Sequence, residues 1–220
     1  MKGLKYLLIM CLSMLMMACN TLPKKNSEKK EIDVYIFADE DINRNSLNDP
    51  SPVKINLLQL TTDVEFKQMS DLSPDGTYKK YLGETVVDDV SIMVRPKTQT
   101  EFKLTEKSEA DYLGIVIAYS NLNNKWKLSF YKQDKKWYQT GGEYLYLDVK
   151  ADGIYQLSKK EALEKILDAK LEKEGKNLAE MTEKQKQKML KSIEKMMEKK
   201  KAADLKKGIY ISTDAIQSLE

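Results

Sequence analysis

Two cysteines and no histidine limit the chemistry available to this sequence. Without imidazole the chain lacks the commonest general base, the usual activator of a nucleophile and the commonest metal ligand. No serine stands in a nucleophile-elbow context, and no glycine loop has the phosphate-binding pattern. Paired carboxylates are the remaining route to catalysis. The acids, however, mostly sit beside lysines on polar segments, as on a solvated surface, and this points away from an enzyme. The residue whose position does suggest chemistry is Cys19, a thiol with no second cysteine after it in the chain.

Its surroundings say what that chemistry is. Lys2 and Lys5 form a short positive start, and Tyr6 to Ala18 is apolar apart from Ser13. That run is too short to span a bilayer as a mature helix and has the pattern of a secretory signal. It ends Leu15-Met16-Met17-Ala18-Cys19, which resembles the lipobox read by lipoprotein signal peptidase, although Met16 is a less usual choice than leucine. Cleavage before Cys19 would discard residues 1–18 together with Cys11. The bland alternative is an ordinary signal followed by a stray cysteine, but a lone thiol in an oxidising compartment is a liability that acylation removes. Covalent lipid on Cys19 is then the one attached group expected, and each buried methylene contributes about 0.8 kcal/mol of membrane attachment. Asn20, where retention at the inner membrane usually takes aspartate, points by resemblance to the outer membrane.

One further set of side chains has a ligand-like spacing. Asp39, Asp41, Asn43 and Asn45 alternate as calcium ligands would. A calcium loop starting at Asp39 requires glycine at its sixth place and glutamate at its twelfth, and Arg44 and Pro50 stand there. No metal or other cofactor is expected.

The elements that position these residues are legible from periodicity. Residues 19–31 read as a lipidated tether, polar and lysine-rich and containing Pro23. Ile32, Val34 and Ile36 alternate with Asp33 and Tyr35, and Val53, Ile55 and Leu57 alternate with Lys54 and Asn56, as half-buried strands require. Val90, Ile92 and Val94 repeat the pattern up to Pro96, and Phe102 and Leu104 mark another strand. Tyr112 to Tyr119, nearly all apolar, reads as a central strand covered on both faces. After the asparagine-rich turn at 121–124, Trp126, Leu128 and Phe130 alternate with Lys127 and Ser129. Gly141-Gly142 breaks the chain, and Leu145, Leu147 and Val149 pair back through Ala151-Asp152-Gly153 with Ile154 to Leu157. Trp126 reads as core, and Trp137 as either an exposed contact or a partly buried edge residue. Seven or eight short strands with no long helix between them predict a mainly β protein, an antiparallel β-sandwich over residues 32–157.

The period changes at residue 158. Sixteen lysines face ten acids from Ser158 to Lys207, against 19 basic and 22 acidic residues from Asn20 to Leu157. The asymmetry marks a boundary and does not indicate a nucleic-acid partner. Ser158 and Glu161 form a capping box ahead of Leu163, Ile166, Leu167 and Leu171 on one helical face. Gly175 interrupts, and Thr182 with Gln185 caps a second helix carrying Met189, Ile193, Met196 and Met197. Gly208 ends it, and Ile209-Tyr210-Ile211 reads as a final strand or an extended tail. Residues 158–220 are expected to be a lysine-rich helical extension, packed on the sandwich or on itself, or else a docking or membrane-surface module.

Four segments in this order carry a family resemblance. They are Ile36-Phe37-Ala38-Asp39 leading to Pro52 through Leu60, then Val64-Glu65-Phe66 with Asp71-Leu72 and Leu82-Gly83, then Val90 to Pro96, and finally Tyr112 to Tyr119 with Leu122-Asn123-Asn124 and Trp126. From about Ile32 to Leu157 the chain resembles the outer-membrane lipoprotein of the type VI secretion system, the TssJ (SciN) family. The resemblance implies a transthyretin-like sandwich facing the periplasm that binds the periplasmic domain of the inner-membrane subunit TssM. It also implies that the loop after the first strand makes that contact, here through Asp41, Ile42, Asn43, Arg44, Asn45 and Leu47. Long loops on rigid scaffolds often carry function. Ile42 and Leu47 are either anchors for a partner pocket or side chains folded back onto the sandwich. Partners are thus a TssM-like subunit and membrane lipid, with no small-molecule substrate. The rival is a ligand-binding or surface lipoprotein unrelated to secretion, which would need a deep apolar pocket with convergent polar groups.

Overall fold

Alternating side chains produce eight strands: β1 (Glu31–Ala38), β2 (Val53–Leu60), β3 (Val86–Val94), β4 (Gln99–Thr105), β5 (Tyr112–Ile117), β6 (Lys127–Tyr131), β7 (Tyr144–Lys150) and β8 (Gly153–Gln156). They are seen in a computed structural model that describes residues 31–70, 78–121, 123–132 and 144–207. The signal segment, Cys19, the tether up to Lys30, Trp137, the Gly141-Gly142 break and Ile209–Ile211 lie outside the described residues.

The strands form two four-stranded sheets, ordered β4-β1-β7-β8 and β3-β2-β5-β6. Every neighbouring pair is antiparallel except β1 and β7, which run parallel with Val34 opposite Leu145. A parallel pair needs a long crossover, and here the chain builds the second sheet and β4 between the two strands. The sheets face each other across one core, in which Val34, Ile36 and Leu147 meet Ile55, Leu57 and Ile115. The Tyr119 hydroxyl donates to the Lys150 carbonyl at 2.8 Å and ties the second sheet to the first. Trp126 is half-buried and packs against this core.

Helices cover part of each outer face, while Met93 on the second sheet stays exposed. Leu58, Leu60 and Val116 on the second sheet are covered by two short helices, α1 (Val64–Gln68) and α2 (Tyr78–Leu82), through Phe66, Met69, Tyr78 and Leu82. A strand-only reading of this region does not anticipate them. On the first sheet, Tyr35, Phe37 and Tyr146 are covered by α3 (Lys159–Lys173) and α4 (Glu183–Lys207). Asp33 and Tyr35, expected on a solvated face, are therefore 6% and 5% exposed.

The helical hairpin is built from the caps that its sequence contains. Ser158 accepts from the Glu161 amide, and the Glu161 carboxylate accepts from the Ser158 amide at 2.8 Å. Thr182 and Gln185 exchange the same two bonds ahead of α4. Gly175 has a φ of 69°, where a side chain would be strained, and the Lys176 amide reaches back to the Leu171 carbonyl at 2.9 Å. With the Gly175 amide bonded to Glu172, this is a Schellman end. Leu163, Leu167 and Leu171 then pack against Leu190 and Ile193, while Ala162, Ile166 and Met197 lie on the sheet. The apolar stripe thus packs on itself and on the sandwich together. Met196, grouped by spacing with that stripe, is instead exposed.

Ion pairs fasten the same hairpin. Lys165 on α3 meets Asp148, 1% exposed at its side chain, at 2.8 Å. Near the end of α4, Lys200 meets Glu101 at 2.7 Å and Lys201 meets Asp33 at 3.5 Å, which puts that end beside the start of β1. Among the described residues no helix is long and apolar enough to cross a membrane.

Candidate functional site

The loop joining β1 to β2 leaves the sheet at Asp39, whose amide still donates to the Val149 carbonyl at 3.0 Å. Ile42 turns inward and is fully buried in the main core, while its carbonyl accepts from the Ser51 amide at 3.2 Å. It takes the folded-back alternative and offers no surface to a partner. Asn43 follows with a φ of 46°, a conformation that asparagine tolerates better than most residues. Its side-chain amide donates to the Pro52 carbonyl at 2.8 Å, and its side-chain oxygen accepts from the Ser120 amide at 2.7 Å. One buried asparagine therefore clamps both legs of the loop and the end of the neighbouring sheet. The sequence places Asn43 among the expected partner contacts and in the calcium-like alternation, and neither reading anticipates this role in shaping the loop.

Beyond Asn43 the loop is exposed and braces itself. The Asn45 side-chain oxygen accepts from the Leu47 and Asp49 amides at 2.9 and 3.0 Å, and the Asn45 amide donates to Asp49 at 2.9 Å. The Arg44 guanidinium pairs with the Asp41 carboxylate and donates to the Asn48 carbonyl. Leu47 projects from this frame with 79% of its surface exposed. A loop that satisfies its own polar groups has little conformational freedom left to lose on binding. The structure thus holds Asp41, Arg44, Asn45 and Leu47 at the surface, with Ile42 and Asn43 beneath them as the frame.

The electrostatics next to the loop come from α3. Lys165 bridges Asp39 at 3.2 Å and Asp148 at 2.8 Å. Burial pulls the Lys165 ammonium down, but the Asp148 and Asp39 carboxylates outweigh it, and its pKa is raised on balance. Lys97 spans Glu40 at 3.8 Å and Glu172 at 3.1 Å. Between loop and helix lies an open cleft of about 490 Å³, lined by Asp39, Glu40, Lys97, Lys165 and Glu172 and, on its apolar parts, by Phe37 among others. It lacks the deep apolar walls that the ligand-binding alternative requires.

The calcium-like alternation does not converge. Asp39 is bonded to Lys165, Asp41 to Arg44, Asn43 to backbone, and Asn45 to its own loop. Among the described residues no group of three or more acids, cysteines or histidines is placed to hold a metal. What this arrangement offers chemically is recognition, with a rigid polar tip carrying one exposed apolar side chain.

Two face-packed sheets with such a loop at one end form a β-sandwich whose accessible chemistry sits on its connections. Solved structures share this fold. Serratia marcescens Lip, a membrane-bound component of the type VI secretion system, matches with a TM-score of 0.52 at 22% identity, over 59% of this chain and 97% of its own. A chain of a type VI membrane complex matches with a TM-score of 0.52 at 14% identity, over 60% of this chain and all of its own. The type VI lipoprotein TssJ1 of Pseudomonas aeruginosa is 19% identical, over 59% of this chain and 95% of its own, with a TM-score of 0.48. No curated protein matches the chain. The family model for type VI secretion lipoproteins (VasD, EvfM, TssJ) matches residues 30–153, more than half of the 220. The chain belongs to that family. The match ends before α3, so both helices of the hairpin lie outside it.

Proposed function

We propose that this protein is the outer-membrane anchor of a type VI secretion membrane complex, exported and held facing the periplasm by lipid on Cys19. Residues 1–18 leave as the signal, 19–31 form the tether, 32–157 the sandwich and 158–220 the helical extension. The sandwich binds the periplasmic domain of a TssM-like inner-membrane subunit through the loop after β1, without a cofactor and without catalysis. Family membership over residues 30–153 is the observation that carries this reading. The self-braced loop supports the assignment of the contact to Asp41, Arg44, Asn45 and Leu47, because exposed apolar tips on rigid frames suit a partner's pocket.

The test is a pull-down of the mature chain with the periplasmic domain of the TssM-like protein from the same genome. Arg44→Ala with Leu47→Ala should abolish capture while leaving the melting temperature unchanged. Undiminished capture would move the contact elsewhere, and no capture by the folded wild-type chain would sink the anchor role. Cys19→Ser should let a high-salt wash release the protein from membranes, and retention after that wash would refute lipidation.

A further inference from the structure

We propose that the exposed face of α4 is a docking surface for an anionic phospholipid bilayer. Lys184, Lys188, Lys191, Lys195 and Lys199 are all exposed. At 3.6 residues per turn their spacing places them within an arc of about 80°, along roughly 22 Å of helix. The buried residues Leu190 and Ile193 lie on the opposite side. Within that arc, counting the 20° on either side of it, Glu198 is the one acid among the described residues.

The other lysines of the helix whose side chains are described are paired. Lys186, Lys200 and Lys201 pair with Glu164, Glu101 and Asp33. None of the five in the stripe forms an ion pair or hydrogen bond among the described residues. The hairpin's apolar side is already consumed by the sandwich and by its own core. What remains along the lysine arc is an electrostatic surface, with Met196 exposed to one side of it, and this suits lipid headgroups better than deep insertion into acyl chains. The covalent connection favours a bilayer as the occupant. The end of α4 lies beside the start of β1, and residues 20–30 join that point to Cys19 with a reach on the order of 40 Å at most. From the anchor reading this takes only the lipid on Cys19.

The experiment is co-sedimentation of the mature Cys19→Ser chain with vesicles, so that acyl chains contribute nothing. Vesicles containing about a third phosphatidylglycerol should bind the chain, pure phosphatidylcholine should not, and about 0.5 M salt should release it. Changing the five lysines to glutamine should weaken binding at least about tenfold with unchanged circular dichroism, since the two residues have similar helix propensity. A control with Lys54, Lys80, Lys160, Lys170 and Lys173 changed to glutamine should bind as wild type. Equal loss in the control would reduce the effect to general basicity and overturn the proposal. So would absence of binding to the anionic vesicles, including the case in which the stripe variant instead loses capture of the TssM-like domain. Because Cys19 is already replaced, none of these outcomes bears on lipidation.

Discussion

Ile42 and Leu47 stand five residues apart on one loop, and their alanine variants should fail in opposite ways. Ile42 is fully buried against the core, whereas Leu47 is 79% exposed. Replacing a buried isoleucine by alanine costs about 2–5 kcal/mol through lost burial and the cavity left behind. A loop end collapses more readily than a sheet interior, so about 3 kcal/mol is the reasonable figure here. For a body of this size each kcal/mol lowers the melting temperature by about 2–4 °C, which gives a fall of about 6–12 °C. Leu47→Ala, away from any packed feature, should stay within about 0.5 kcal/mol, or about 2 °C. In a pull-down well below both midpoints the order reverses. Leu47→Ala should weaken capture of the TssM-like domain by about 5–30-fold, as loss of an anchor worth 1–2 kcal/mol would, while Ile42→Ala should bind nearly as wild type. Melting followed by circular dichroism beside the pull-down reads both effects. If Ile42→Ala melts within about 2 °C of wild type, the loop is not packed through that side chain. If Leu47→Ala is the less stable of the two, the assignment of frame and tip is wrong.

Other parts of the structure give three more outcomes. A methyl group on Gly114 would sit 2.8 Å from Phe66 Cε2 and 3.0 Å from Leu60 Cδ1; Gly114→Ala should therefore cost about 1–3 kcal/mol in urea unfolding. Phe66→Leu in the same chain should recover part of it, and an unshifted midpoint for the single variant would show that α1 does not press on β5. Leu167 is fully buried between the two long helices, and Leu167→Ala should remove about 2–5 kcal/mol. Amide exchange should then quicken in α3 and α4 ahead of the sheets, and uniform exchange would mean that the hairpin is not a separable unit. Alkaline pH should also unfold the protein. Burial, with Asp89 adding to it, pushes Tyr78 up to about 12, and burial raises Tyr35, Tyr119 and Tyr146 as well. A phenol whose folded pKa is raised contributes stability that is complete below about pH 10 and is lost as pH rises through the folded value. Denaturation midpoints should fall from about pH 10 upward, and Tyr78→Phe should lessen the slope by about 1.4 kcal/mol per pH unit between 10 and 12. A flat profile to pH 12 would contradict the burial of these rings.

The strands were legible because period-two alternation is imposed by the pleat itself, and Ile32, Val34 and Ile36 on β1 show it directly. Both helix caps were legible for a similar reason, since Ser158 with Glu161 and Thr182 with Gln185 act within a single turn. Reading the polar positions of β1 as solvated was where local pattern ran out. Asp33 and Tyr35 have the composition of an exposed face, and nothing within their own strand indicates the helices that close over them from more than a hundred residues away. The aromatic run Tyr35, Phe37 and Tyr146 and the apolar stripe of the hairpin are two halves of one interface. Each half alone is ambiguous, because a tyrosine on a strand suits an edge as well as a buried face. The parallel pairing of β1 with β7 is of the same kind, a consequence of the crossover and not of either strand's sequence.

The loop after β1 marks a different boundary to what sequence contains. Periodicity cannot sort Ile42 from Leu47, since an irregular segment has no repeating face. The sorting is done by Asn43, whose left-handed backbone and two side-chain bonds turn the preceding residue into the core and send the following ones outward. Asn43→Ala should for this reason affect both sides of the loop at once. It removes the bonds to Pro52 and Ser120 and places an alanine at positive φ, a combined cost of about 2–3 kcal/mol. Stability and capture of the TssM-like domain should fall together. Asn43→Asp keeps the acceptor for the Ser120 amide and tolerates the same backbone, so it should recover part of both. If Asn43→Ala reduced stability yet left capture intact at a temperature where the chain is folded, the tip would hold its shape without the clamp. The contact would then owe its form to Asn45 and Arg44 alone.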